Sequence, residues 1–233
     1  MPQTINSSDT RLPDNVRDLA HRLGVAADTT RSAVRLTQTG RIRRSLSAEA
    51  WMTFTAVQTI SALECSFDWQ AQTGPFGVVT ACDAIKDGKP RFDIMAFGLI
   101  PIARATPSAA LLRGELMRYL AELPMAPDAM LRNRALSWRD DGPDAIGVSA
   151  GAGDGRAEVR LLLGTDGRVK GAFAPDRPRS ANKDFLPTPW HCQFSDYRPQ
   201  NGLWLPFQGE VAWEIDGKRI AYWRGQVTSW TAT

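Results

Sequence analysis

Apolar residues recur along this chain with two different periods, and the switch between them outlines its architecture. The one long helical pattern is Ser108–Leu123, SAALLRGELMRYLAEL. At about 100° per residue, Ala109, Leu112, Leu116, Leu120 and Leu123 fall on one wide apolar face. Ala110, Gly114 and Ala121 make a small-residue face that another backbone can approach. Glu115, Tyr119 and Glu122 form a third stripe with Arg118 beside it. Thr106-Pro107-Ser108 supplies a start signal, and Pro124 stops the helix. A shorter helix opens at Leu12-Pro13-Asp14, with Val16, Leu19, Ala20 and Leu23 on one face and Gly24 at its end. A helical turn is expected at Pro127–Arg132.

Elsewhere the period is two. Val34, Leu36 and Gln38 alternate with Arg35, Thr37 and Thr39. Trp51–Ile60 places Met52, Phe54 and Ala56 on one face, and Cys65, Phe67 and Trp69 do the same in the next run. Five Asp-Gly pairs, at 87, 141, 154, 166 and 216, fall between or just before such runs. Asp-Gly suits the type I′ turn, which needs positive φ at both central residues. Strands are expected at Val78–Ile85, Arg91–Phe97, Leu136–Arg139, Ala145–Ser149, Arg156–Leu163, Val169–Phe173, Trp190–Tyr197, Leu203–Ile215 and Ile220–Trp230. Gly151–Gly155 reads as a flexible hairpin loop, and the Pro/Arg-rich stretch Ala174–Asn182 as another loop. The fold class is mainly β (α+β): a strongly curved antiparallel sheet, with the long helix plugging its concave face and a short N-terminal helix. Residues 1–11 are polar and expected to fray, leaving 12–233 as a single domain.

Composition changes this picture little. Hydrophobic residues make up 43% and charged residues 23%, both ordinary for a globular chain, but eight Trp is high and suits a large core or a ligand cavity. The net charge is +3, and the arginines between Arg31 and Arg44 alternate with Leu36, Thr37 and Ile42 as strand side chains do, so no nucleic-acid partner is expected. Cys65, Cys82 and Cys192 are odd in number and widely spaced, which indicates neither a disulfide framework nor a zinc site. The start MPQTINSSDTRLPDN has no apolar signal region and no apolar run reaches membrane-span length, so a soluble cytoplasmic protein is expected.

Several stretches, taken together, resemble an uncharacterised bacterial family, a domain of unknown function. They are RLTQTGRIRR from Arg35, WMTFTAVQ from Trp51, RGELMRYLAEL at 113–123, PTPWHCQFSDYR at 187–198, LPFQGEVAWEI ending at Ile215, and YWRGQVTSW at 222–230. The layout is similar to the lipoprotein-localisation-factor group, a curved antiparallel half-barrel with helices in the hollow. That resemblance implies binding of acyl chains in the hollow; the same fold group also includes cofactor-free biosynthetic catalysis.

Candidate chemistry follows from the stripe and the C-terminal aromatics. Only His21 and His191 are present, without a metal-binding spacing, so no metal and no cofactor are expected. His191 and Ser195 share a strand face, but Asp196 points to the other and no nucleophile-elbow motif exists. The helix stripe has two readings: surface ion pairs worth about 0.2–0.5 kcal/mol each, or a cavity-facing group. In the second, Glu115 or Glu122 is a general base, Tyr119 or Tyr222 a proton donor and Arg118 an anion clamp. Trp190, Tyr197, Glu210, Trp213, Tyr222 and Arg224 are candidate ligand-binding residues. Alternation sets Trp213 with Val211 and Ile215, opposite Glu210, and sets Tyr222 with Arg224, opposite Trp223. Glu210 has the alternative of a structural salt bridge to Arg224. The functional expectation is binding of a hydrophobic or amphipathic small molecule. Its rivals are a cofactor-independent isomerase, cyclase, lyase or hydrolase using the same cavity, and a structural or protein-interaction role.

Overall fold

The computed structural model describes residues 12–151, 155–181 and 184–233; the expected frayed segment 1–11 and the middle of the Gly151–Gly155 loop lie outside them. After helix α1 (Asp14–Arg22) come β1 (Ala33–Arg43), β2 (Trp51–Ser61), β3 (Phe67–Thr73), β4 (Val79–Lys86), β5 (Lys89–Ala96) and β6 (Ile100–Arg104). Helix α2 (Ala109–Ala121), a 3-10 turn at Leu123–Met125 and the short α3 (Ala129–Arg132) follow. The second half is β7 (Ser137–Asp140), β8 (Ala145–Ala150), β9 (Ala157–Leu163), β10 (Val169–Ala181), β11 (Asp184–Gln200), β12 (Leu203–Ile215) and β13 (Lys218–Ala232).

These strands form one antiparallel sheet of two meanders, β6 to β1 and β13 to β7, sealed by pairing of β1 with β13 near the two ends of the chain. The sheet curls into a half-barrel, and α2 lies in its hollow, touching β4 and β5 on one side and β8, β9 and β10 on the other. Part of the curl is written in glycine. Gly40, Gly225 and Gly209 sit opposite one another across β1, β13 and β12. A Cβ on Gly40 would lie 2.1 Å from the Arg224 carbonyl oxygen and 2.7 Å from the Phe54 ring, and one on Gly225 would lie 2.1 Å from the Trp223 ring. With no side chains in that row, Phe54 and Trp223 lie flat on the backbone and stack at 5.8 Å, the combination of glycine and aromatic that lets a sheet bend.

Ser108 caps α2, its hydroxyl accepting from the Leu111 N–H at 3.1 Å. From Leu111 onward nearly every position is buried or half-buried. The helix is enclosed all round, which removes the distinction between apolar face and charged stripe. Arg177 and Pro178 of β10 back onto the small-residue face at Gly114. The α1 pattern holds: Val16, Leu19 and Ala20 are buried. α1 packs on the end of the half-barrel, where the Leu23 carbonyl accepts from the Trp204 N–H at 2.8 Å. The 3-10 turn closes the same end through Trp230, whose indole N–H donates to the Met125 carbonyl at 2.9 Å.

Three expectations need correction. Ala174–Asn182 is strand, not loop, as far as the described residues go: Pro175 lies in a bulge between Ala174 and Arg177, and Pro178 sits opposite Pro187 beyond the stretch of β10 that pairs with β9, so neither missing N–H is called on by the ladder. Of the Asp-Gly pairs, Asp87-Gly88 and Asp216-Gly217 have positive φ at both residues, whereas at 142 and 167 only the glycine does. Asn201-Gly202 and Phe97-Gly98, neither anticipated, adopt the doubly positive conformation instead. Finally, Val211 faces Trp223 while Ala212 faces Ala221, so Tyr222 is the extra residue of a β13 bulge. Tyr222 and Trp223 therefore both line the hollow, and Arg224 points away from them.

Candidate functional site

Between α2 and the concave sheet lies a cavity of about 580 Å³. Its walls are mainly apolar, from Ile42, Leu46, Phe92, Leu111, Trp213 and Trp223. This size and lining match those of small-molecule sites. Besides Arg118 and Arg177, it is lined by Arg43 of β1, Arg44 just after it, Arg104 of β6 and Arg179 of β10.

The charged groups form one wall. Arg118 donates to Asp83 at 2.5 Å and to Glu122 at 2.9 Å, its guanidinium over the Phe67 and Trp69 rings at 4.8 and 5.2 Å. Glu122 also accepts from the Gln58 amide at 2.5 Å; Gln58 accepts from Gln38 at 3.4 Å, and Gln38 from the Trp69 indole N–H at 2.9 Å. Gln38 and Gln58 are thus buried because the cluster needs their amides. Glu115 is only 5 % exposed, and its Oε2 has no hydrogen-bond partner among the described residues. Burial pushes its carboxyl well above the usual carboxylate range, helped by the neighbouring Asp83 charge and opposed by Arg177 and Arg118.

Arg177, in the Pro/Arg-rich stretch expected to be a loop, enters from β10. Its Nε donates to the Gly114 carbonyl at 3.1 Å and its Nη1 reaches the Tyr222 hydroxyl at 3.5 Å. Its guanidinium lies 4.2 Å from the Trp190 ring centre and 5.6 Å from that of Trp213. The Tyr222 hydroxyl also accepts from the Trp190 indole N–H at 3.1 Å, and the Tyr222 ring stacks on Trp213.

The structure thus gathers Glu115, Arg118, Glu122, Trp190, Trp213 and Tyr222 around one cavity. Others are elsewhere. Tyr119 points away from it; its hydroxyl donates to the Ser61 carbonyl at 2.9 Å and accepts from the Asn133 amide. Tyr197 also lies apart, donating to the Val169 carbonyl at 2.7 Å. Glu210 borders the cavity as well as the outer face, but its carboxylate pairs with Arg224 at 2.6 Å, and Arg224 lies over Trp51 on the outer face. His191 pairs with Glu214 at 2.9 Å, Ser195 bonds Gln208 and Asp196 bonds Arg198, so no Ser-His-Asp relay is assembled. Arg177, Asp83, Gln38 and Gln58 were missed as site residues. Asp83 carried a signal, a carboxylate on the strand face of Ala81 and Ile85; Arg177 was hidden by its flanking prolines. Among the described residues no group of His, Cys, Asp and Glu is placed to hold a metal ion, and no helix is long and apolar enough to cross a membrane.

The protein is thus a half-barrel: a curled antiparallel sheet around a helix, with an ionic cluster set in the wall of an apolar hollow. The same fold occurs in a putative outer membrane lipoprotein-sorting protein domain from Vibrio parahaemolyticus, with 11% identity, a TM-score of 0.51, and coverage of 94% of this chain and 91% of that one. A LolA superfamily protein from Nitrosomonas europaea aligns over 94% and 93% of the two chains, with 8% identity and a TM-score of 0.49. No curated protein matches the sequence. By sequence the chain belongs to the family of unknown function DUF6544, whose model matches residues 3–225.

Proposed function

We propose that the protein binds a hydrophobic or amphipathic small molecule in the half-barrel hollow. The observation that carries this reading is the cavity of about 580 Å³, walled by tryptophan and aliphatic side chains beside α2. The Vibrio parahaemolyticus domain of the same fold is named for lipoprotein sorting, and an apolar hollow is the feature such a role would share with this chain. The test is mass spectrometry of freshly purified protein under native and denaturing conditions. A reproducible excess mass that is lost on denaturation is expected, and its identity names the ligand. The bare-chain mass in every preparation, with no gain on incubation with dodecyl amphiphiles, would overturn the reading.

One observation favours a second reading. The unpartnered Glu115 Oε2 in the cavity wall is placed as a general base of a cofactor-independent enzyme would be, and a raised pKa suits proton transfer near neutral pH. In that case the extracted ligand is converted on incubation with fresh protein, and Glu115→Gln returns it unchanged while keeping the fold. Equal conversion by both proteins would remove Glu115 from the chemistry.

A further inference from the structure

The cavity wall holds two buried arginines that differ in what neutralises them. Arg118 has both Asp83 and Glu122 as direct partners. Arg177, only 8 % exposed, has a backbone carbonyl, a phenol oxygen and two tryptophan faces, but no carboxylate in ion-pair contact among the described residues. A buried cation without a direct anionic partner is costly, and cation–π contact and the surplus carboxylate charge around Arg118 offset only part of that cost. Beside it is the converse case. Arg177 Nε is tied to the carbonyl of Gly114, the residue next to Glu115, so the guanidinium and the Glu115 carboxyl flank one part of the cavity. The Glu115 Oε2 is buried and unpartnered among the described residues, as is the Oδ1 of its neighbour Asp83.

We infer that the molecule bound in this cavity is an amphipathic acid, whose anionic head group sits between Arg177 and Glu115 while its apolar chain lies along Trp213, Trp223 and Phe92. The inference rests on the binding reading above and narrows it to a ligand class. Arg177 supplies the charge and a donor geometry suited to carboxylate or phosphate oxygens. Glu115 is held toward its proton-bearing form by burial and by Asp83, so it meets the head group as a hydrogen-bond donor rather than as a like charge, a use of neutral carboxylic acids that apolar sites permit. Around the same cavity Arg44 and Arg179 add positive potential, while Arg43 turns its guanidinium onto Trp51 at 4.7 Å. That field draws in anions and disfavours cations. An alcohol would leave Arg177 without a counter-charge, and an alkylammonium would place a second cation beside it.

The test compares dodecanoate, dodecanol and dodecyltrimethylammonium, the two ions below their micellar concentrations and the alcohol below its solubility limit, by tryptophan fluorescence and native mass spectrometry on the full chain. Because a charge-assisted hydrogen bond outweighs a neutral one, dodecanoate is expected to bind about tenfold or more tightly than dodecanol, with the ammonium weakest. Arg177→Gln is expected to remove the preference for the acid, and Arg177→Lys to retain part of it. Should the Gln variant not fold, the wild-type series and the Lys variant decide. Equal affinity for acid and alcohol in the wild type, or a preference that survives Arg177→Gln, overturns the head-group assignment while leaving hydrophobic binding standing. Binding of none of the three overturns the binding reading itself.

Discussion

Replacing Arg118 by Met separates the two readings that the α2 stripe admits. On a solvated surface its two ion pairs would be worth about 0.2–1 kcal/mol each. In the structure the side chains of Arg118, Asp83 and Glu122 are 15%, 12% and 17% exposed, and the guanidinium lies over Phe67 and Trp69. Removing the cation leaves Asp83 and Glu122 together in the cavity wall beside Glu115. Breaking a buried pair in this way costs about 3–5 kcal/mol. For a domain of this size that lowers Tm by roughly 6–20 °C, at about 2–4 °C per kcal/mol. Urea denaturation of wild type, Arg118→Met, Asp83→Asn and the double variant measures both the loss and its origin. The double variant should recover part of the loss, because it removes one of the stranded charges. A cost below about 1 kcal/mol, or strictly additive single effects, would refute the buried cluster and return Arg118 to the surface class.

Other outcomes follow from the same contacts. Glu115 has a raised pKa in the folded state, so between its unfolded and folded pKa the native protein binds more protons than the unfolded chain; stability is therefore fullest below the usual carboxylate pKa and falls as pH rises through the folded one. Thermal melts across pH 5–9 should show this fall in the wild type and a shallower one in Glu115→Gln. Tyr119→Phe, which strips the donor from the Ser61 carbonyl and the acceptor from the buried Asn133 amide, should cost about 1–3 kcal/mol in urea denaturation and leave dodecanoate affinity unaltered. Gly40→Ala puts a methyl 2.1 Å from the Arg224 carbonyl and should destabilise by about 1–3 kcal/mol or more as the β1–β13 seam shifts, read from the urea midpoint.

The helix and the meander were legible because their signals are local. Ser108 and Pro124 bracket α2, and Asp87-Gly88 and Asp216-Gly217 mark turns by the φ they accept. The site was legible only in part, because its geometry is set by irregularities and by distant partners. One extra residue at Tyr222 turned Trp223 toward the hollow with it, contrary to strict alternation. The bulge before Arg177 accommodates Pro175, and the end of the β9 pairing frees Pro178, so two prolines sit in a strand, which a proline-rich sequence otherwise argues against. The direction of the Glu115 stripe could not be read from periodicity, since a helix enclosed on every side has no solvent face to fix its phase. Gln38 and Gln58 fall on the inward face of β1 and β2 at the expected period, but their purpose appears only when Glu122 and Trp69 are placed against them.

The central claim is that an apolar chain occupies the hollow beside α2, and contact quenching tests it most directly. A dodecyl chain brominated at mid-length, carrying a carboxylate or a hydroxyl head, quenches tryptophans that it touches. Trp213 and Trp223 line the cavity, whereas Trp138 and Trp204 do not. The account predicts saturable quenching that drops with Trp213→Phe or Trp223→Phe and is unchanged with Trp138→Phe or Trp204→Phe. No quenching, or quenching that survives both cavity substitutions and is lost with the other two, would contradict it.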